Sequence, residues 1–230
     1  MALPRYGRSP VCRRSRVVEV KFCGLTREDD AAAAAALGAA YAGVIFAGGP
    51  RELSPECAAL VHAAAGPAVL HVGVFGADFR TKVPDVIRHA PLDVIQLHAD
   101  PSVSDIIEAR AIFPGVVWAA VRVAGDVVPD SAAELFGAAD AVVLDARVTG
   151  ALGGTGVPIQ WARIAGVIAG IRAGGRLVLA GGLSPGNVQE AVAALHPDIV
   201  DVSSGVESAS GVKDHARMRA FFRAARGESA

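Results

Sequence analysis

A cysteine closes the first strongly apolar run of this 230-residue chain. In Val18-Glu19-Val20-Lys21-Phe22-Cys23-Gly24 the β-branched residues predict a short strand that stops at a glycine. Alternation puts Glu19, Lys21 and Cys23 on one face and Val18, Val20 and Phe22 on the other. A thiol at a strand end can act as a base when a nearby cation favours the thiolate, and Lys21 shares its face. An isolated cysteine is more often inert core packing, so position must decide. The second candidate is Asp145, a carboxyl closing the apolar run Ala141–Asp145, either a proton donor or a loop or helix-capping acid. Arg51 follows Gly48-Gly49-Pro50; it is a solvated loop arginine or a fork for a substrate carboxylate. Gln96 and His98 share a face and suit filling or orienting roles. The six histidines (His62, His71, His89, His98, His196 and His215) show no metal-ligand spacing such as HxxxH. Cys57, in an alanine-rich helix, is expected in the core, and Trp161 and Phe221-Phe222 read as helix packing.

These groups need a frame, and the chain supplies a repeating one. Strands are predicted at Val18–Cys23, Tyr41–Phe46, Ala68–Phe75, Val94–Leu97, Val116–Val123, Ala141–Asp145, Leu177–Ala180 and Ile199–Val202. Between and after them come helices: Arg27–Leu37, one opening at Ser54-Pro55, Thr81–His89, Val103–Ala111, a weak one near Ser131–Leu135, Trp161–Ile168, Asn187–Leu195 and Asp214–Ala225. Short, uniformly apolar strands alternating with helices belong to a parallel sheet covered by helices. Eight such units predict a closed (β/α)8 barrel of the TIM type. An open doubly wound sheet would want a glycine-rich phosphate turn after the first strand, whereas here the glycines concentrate after the sixth, seventh and eighth.

In a (β/α)8 barrel the reacting groups sit at the carboxyl ends of the strands, with phosphate held after strands seven and eight. Gly181-Gly182 and Ser203-Ser204-Gly205 occupy those two places, and Gly153-Gly154-Thr155-Gly156 follows strand six. Gly154, Gly181, Gly182, Ser203, Ser204 and Gly205 are therefore the candidate phosphate binders, because small residues let backbone N–H groups approach an anion. Strand eight neighbours strand one in a closed barrel, and Asp201 points inward if Ser203 does. Lys21 thus has two readings: an activator of the Cys23 thiol, or the partner of Asp201 in a buried ion pair.

Composition narrows the function classes. The chain is 52% hydrophobic and 20% charged with a formal net charge of -1, which supplies a large core and argues against nucleic-acid or membrane-surface binding driven by bulk charge. No apolar run reaches membrane-spanning length. Three cysteines make no disulfide framework, so a reducing cytoplasm is expected. Residues 1–16 carry five arginines and no acid. They lack the apolar stretch of a secretory signal and are expected to form a basic, disordered extension, which a start site set too far upstream would also produce. The barrel is expected to occupy 17–230.

Several stretches occur in a recognisable order: Lys21-Phe22-Cys23-Gly24-Leu25-Thr26, Gln96-Leu97-His98, Leu144-Asp145, Gly153-Gly154-Thr155-Gly156, Gly181-Gly182-Leu183-Ser184-Pro185-Gly186-Asn187-Val188, Asp201-Val202-Ser203-Ser204-Gly205-Val206-Glu207 and Gly211-Val212-Lys213-Asp214. Together they closely resemble the phosphoribosylanthranilate isomerase family of tryptophan biosynthesis, from Val18 to Ala225. The resemblance implies a (β/α)8 barrel with no metal or organic cofactor, acting as a monomer or homodimer on a phosphorylated small molecule. It implies an aldose–ketose isomerase that carries out an Amadori rearrangement. Asp145 matches the family's acid, Cys23 its base and Arg51 its anthranilate-carboxylate ligand, with phosphate held at Gly182 and Ser204-Gly205. Departures from the family pattern are Gly49 where serine is common, Ala99 where glycine is common, and Ile159-Gln160-Trp161 in place of Phe-Asp-Trp. Two other readings stand beside it: a histidine-pathway or dual-substrate isomerase, which would carry aspartate where Cys23 stands, and a catalytically silent phosphate-binding barrel.

Overall fold

The computed structural model describes residues 17–146 and 159–228. Eight parallel strands close on themselves in sequence order: β1 Glu19–Phe22, β2 Tyr41–Ile45, β3 Leu70–Phe75, β4 Val94–Leu97, β5 Val116–Val123, β6 Ala141–Ala146, β7 Arg176–Leu179 and β8 Ile199–Val202. The ring closes by pairing β1 with β8, Lys21 opposite Asp201. Among the described residues the covering helices are α1 Glu28–Ala36, α2 Pro55–Ala65, α3 Phe79–His89, α4 Val103–Ile112, α5 Ser131–Ala138, α6 Trp161–Ile171, α7 Val188–Leu195 and α8 His215–Ala225. The barrel foreseen from the alternation is the barrel formed.

Local chemistry starts the helices where the chain must turn back. Ser54 accepts a hydrogen bond from the Cys57 backbone N–H with Pro55 just inside α2. Ser102 and Asp105 form a reciprocal capping box on α4. Asp214 accepts from the Ala216 and Arg217 backbone N–H groups at the start of α8. Each such cap is worth about 1 kcal/mol.

The strands sort their side chains by parity. Tyr41, Val72, Val94, Trp118, Ala120, Ala141, Val143, Val178 and Ile199 fill the barrel's interior, while the opposite parity packs against the helices. Tyr41 and Trp118 meet edge to face with ring centroids 5.0 Å apart. Fully burying an aliphatic side chain such as Ile199 stabilises by about 1.5–3 kcal/mol, and this sum across both layers fixes every strand's register. Parity also carries function, because residues two further along an inward-facing row arrive at the mouth.

Three expectations need correction. Cys57 is exposed, not core. The buried face of α2 is Ala58, Val61, His62 and Ala65, and Cys57, four residues before Val61, lies about 40° beyond the edge of that stripe. A short antiparallel hairpin, β9 Glu207–Ala209 and β10 Val212–Lys213, follows β8 where only a loop was foreseen. Helix α6 runs on to Ile171, beyond the expected Ile168, and α3 starts earlier, at Phe79.

Candidate active site

The carboxyl ends of the strands bring most of the singled-out residues together. Cys23 follows β1 directly, its backbone N–H bonded to the Val202 carbonyl at 2.9 Å, and is nearly buried. Beneath it lies Lys21, fully buried, donating to Asp201 Oδ2 at 2.6 Å and to Gln96 Oε1 at 2.9 Å. Its ammonium also sits 5.9 Å from the Trp118 ring centroid. The ion pair with Asp201 is thus present, and Lys21 also reaches the thiol. Burial works against the ammonium, but Asp201 and then Cys23 outweigh it and raise the Lys21 pKa. Burial raises the Asp201 carboxyl pKa despite Lys21, yet the 2.6 Å contact argues for the charged pair. For Cys23, burial dominates and leaves the thiol pKa raised; Lys21 pulls it down, Asp201 pushes it up and Lys213 pulls it down again.

Glycines make this crowding possible. A side chain on Gly43, on the inward face of β2, would meet Cys23 Sγ and Lys21 Cε, each at 3.1 Å. Gly24 has φ +64°, and a Cβ there would lie 2.7 Å from Arg51 Cδ and 2.9 Å from Ser203 Oγ. The glycine after Cys23 is therefore both a turn and a gap for two candidate site residues.

Arg51 is neither solvated nor idle. Its Nε and Nη2 donate to Glu207 at 2.8 and 2.7 Å, a bidentate pair. Glu207 also accepts from Lys213 Nζ at 2.9 Å, and Lys213 in turn reaches the Ser203 carbonyl at 3.2 Å. Burial opposes the Glu207 charge, but hydrogen bonds from Arg51 and Lys213 hold its carboxyl down to about 2. Burial lowers the Lys213 pKa despite Glu207. Two cations and one anion leave this cluster one formal positive charge in excess.

Across the mouth, His98 links β4 to β6. Its Nδ1 lies 3.2 Å from Gln96 Nε2, and its Nε2 lies 3.1 Å from Asp145 Oδ2. Asp145 pairs in register with Arg122 on β5, whose guanidinium is turned to the His98 carbonyl and to Asp100. The turns after β7 and β8 press together. Gly181 and Gly182 have φ +79° and +71°. A Cβ on Gly205 would come within 1.9 Å of the Leu183 carbonyl oxygen, so no other residue fits there. Asn187 ties the first turn, accepting from the Ser184 backbone N–H at 2.7 Å and donating to the Gly182 carbonyl at 3.0 Å. Ser203, Ser204 and Gly205 lead into one turn of 3-10 helix, Ser204–Val206. Gly154 falls outside the described residues.

Sequence reasoning passed over Gly43, Arg122 and Lys213. The first two carried a signal, an inward-parity glycine and an inward-parity arginine in apolar strands. Lys213 stood in the recognised stretch Gly211-Val212-Lys213-Asp214, but its reach depends on the β9–β10 hairpin. Among the described residues no three His, Cys, Asp or Glu side chains are grouped to hold a metal ion, and no helix is long and apolar enough to cross a membrane. A groove of about 520 Å³ runs along α7 and α8 on the outer wall, past Pro185, Gln189 and Arg223, away from these groups.

Residues 20–224 match the family model for N-(5'-phosphoribosyl)anthranilate (PRA) isomerase. The chain belongs to this family. An N-(5'-phosphoribosyl)anthranilate isomerase from Pseudomonas fluorescens is 38% identical over 210 residues, which is 91% of this chain and 98% of that one. The phosphoribosyl anthranilate isomerase from Thermotoga maritima superposes with a TM-score of 0.80 at 34% identity, covering 91% of this chain and 99% of the other. A solved phosphoribosyl anthranilate isomerase in complex with reduced 1-(o-carboxyphenylamino)-1-deoxyribulose 5-phosphate superposes with a TM-score of 0.78 at 31% identity, over 91% and 99% of the two chains. This member of the PRA isomerase family thus carries a cysteine and an aspartate on two inward strand ends of one barrel.

Proposed function

We propose that the chain isomerises N-(5-phosphoribosyl)anthranilate to 1-(2-carboxyphenylamino)-1-deoxyribulose 5-phosphate, an internal aldose-to-ketose redox shift, with Cys23 as general base and Asp145 as general acid. The observation that carries the reading is the convergence of a lysine-contacted thiol and a carboxyl on one barrel mouth in a member of this family. Asp145 protonates the ribose ring oxygen, the C1–O bond breaks, and the anilino nitrogen lone pair forms the C1=N bond of an open-chain Schiff base. Cys23, as thiolate, takes the proton from C2. The electron pair moves into C1=C2 and the iminium nitrogen becomes an amine, giving an enolamine. Tautomerisation, with a proton added at C1 and the C2 hydroxyl proton lost, delivers the ketone. No net electron leaves the substrate.

Binding follows from charge. Arg51 spends Nε and Nη2 on Glu207, which leaves Nη1 to donate to the anthranilate carboxylate. Backbone N–H groups around Gly181, Gly182, Ser203, Ser204 and Gly205, with Gly154 from the sixth loop, receive the phosphate. Lys21, Gln96, His98 and Asp201 support from below. The protein works in the cytoplasm as a monomer or homodimer, without a nucleic-acid or membrane partner, and residues 1–16 stand outside the 17–230 catalytic domain. A histidine-pathway role is disfavoured by the thiol itself, since that chemistry would call for aspartate at position 23.

The test is turnover of freshly formed phosphoribosylanthranilate, followed as loss of its anthranilate-type fluorescence, with the histidine-pathway substrate assayed alongside. Absence of turnover by purified, folded protein would overturn the reading.

A further inference from the structure

Between Cys23 and Asp145 runs a line of side chains whose hydrogens can be assigned by elimination. Lys21 is a donor only, and its Nζ lies 2.9 Å from Gln96 Oε1. That contact orients the Gln96 amide, so its NH2 group faces His98 Nδ1 at 3.2 Å. An NH2 group can only donate there, and Nδ1 must accept with its lone pair. The imidazole therefore carries its proton on Nε2, 3.1 Å from Asp145 Oδ2. We propose that Gln96 is a positioning residue that keeps His98 neutral and in this tautomer, so that Asp145 can remain a carboxylic acid with Oδ1 free to deliver the proton.

Any other proton placement would set a donor against a donor. Protonating His98 at Nδ1 would set a ring N–H against the amide N–H. The amide cannot turn over in response, because its NH2 would then face the Lys21 ammonium. Nor can Lys21 swing away, being fully buried and held by Asp201 at 2.6 Å. The other charged groups around the ring do not replace this lock. Asp145 on β6 and Asp201 on β8 would favour an imidazolium, Asp100 is engaged by Arg122, and Arg122 on β5 holds the His98 carbonyl, not its ring.

The consequence is chemical. An imidazolium against Asp145 would favour the carboxylate, and a carboxylate has no proton to give to a ring oxygen. A neutral Nε2–H serves both states of the donor. It faces Oδ2 at 3.1 Å, an oxygen that is the carbonyl of the acid before transfer and part of a carboxylate after it. The proposal rests on Asp145 being the proton donor, and it ties that role to Gln96, two residues from His98 on the same strand.

Long-range 1H–15N spectra of the full-length protein read the ring directly, with the His98 signals identified by their loss in His98→Gln. Near pH 7 the expected pattern is a protonated Nε2 and a bare Nδ1. A proton on Nδ1 near pH 7 would overturn the proposal. Gln96→Glu supplies an acceptor to Nδ1, so both ring nitrogens should be protonated and kcat should fall at least about tenfold, less than the full worth of an acid, with KM changed far less. If the ring is doubly protonated and kcat holds within about twofold, the idea fails. It fails too if the fall is matched by an equal loss in the alkylation rate of Cys23, which would put the effect on the thiol. Should Gln96→Glu not fold, Gln96→Met serves: with the amide donor gone, the proton barred from Nδ1 in the wild type should become detectable there. An Nδ1 that stays bare in this variant would count against the lock. Failure of the functional reading is separate, since it appears as absent turnover in the wild-type protein whatever the ring's tautomer.

Discussion

The two sides of the mouth are built on opposite electrostatic principles. Around Cys23 everything is buried and charged: Lys21 and Lys213 have no side-chain exposure, Glu207 has 5% and Asp201 6%. Around Asp145 the groups are more open, with His98 at 30% and Asp145 at 24% exposure. A base that must lose its proton gains from cations held at close range in a low-dielectric setting. An acid that must keep its proton gains from their absence, and Arg122, the cation in register with Asp145, is turned to His98 and Asp100 instead. The two reacting groups thus need not share an environment, and the barrel lets different strands supply each.

Breaking either side outright should give the largest effect. Cys23→Ala and Asp145→Ala should each lower kcat by about 10²–10⁴-fold while the barrel stays folded. Survival of turnover within about tenfold in either variant would cancel the assigned roles. Lys21→Met separates the sides. It strands Asp201 in the interior, so urea unfolding should show a loss of about 3–5 kcal/mol. The thiol of Cys23 should also alkylate with a higher pKa, whereas an unmoved thiol would mean that Lys21 serves packing alone.

Glu207→Gln tests the carboxylate end of the charged side. With Arg51 no longer clamped by an anion, KM should rise about tenfold, equivalent to ~1.4 kcal/mol of binding, and kcat should move less. A pure kcat effect would mean that Arg51 is not a binding group. The same residue gives a pH signature. Its folded carboxyl sits near about 2 against an ordinary 4.5, so the unfolded chain binds the proton first. The stabilisation is complete above about pH 4.5 and is lost as pH falls towards 2. Away from the mouth, His62 stacks on His71 at 4.3 Å, and burial, followed by His71, lowers its pKa from 6.5 to about 3. Stability should therefore also decline from about pH 6.5 downward, and His62→Phe should flatten that part of a Tm-against-pH curve. Smallest of all, deleting Met1–Arg16 should leave kcat unchanged and Tm within about 2 °C.

Much of this was legible in the chain. Apolar runs of strand length alternating with helix-forming segments leave a parallel barrel as the economical way to bury both faces. Period-two alternation then places Cys23, His98, Asp145 and Ser203 at the mouth once the strands are known. The Lys21–Asp201 contact followed from adjacency of the first and last strands. Less legible were groups whose partners come from distant loops. Glu207 stood in a recognised motif, but its grip on Arg51 spans 156 positions of sequence and depends on a hairpin too short to announce itself. Cys57 was misjudged because in a run of alanines the sequence does not mark which side of the helix faces inward.

By itself, then, the sequence determined the architecture and pointed to the two residues proposed to react, because local propensity and alternation are written residue by residue. Only the tertiary structure decided who holds whom. The order in which Lys21 meets Gln96, Gln96 meets His98 and His98 meets Asp145 exists only when β1, β4 and β6 face one interior. Hydrogen-bond roles depend on those through-space neighbours, and no spacing along the chain encodes them.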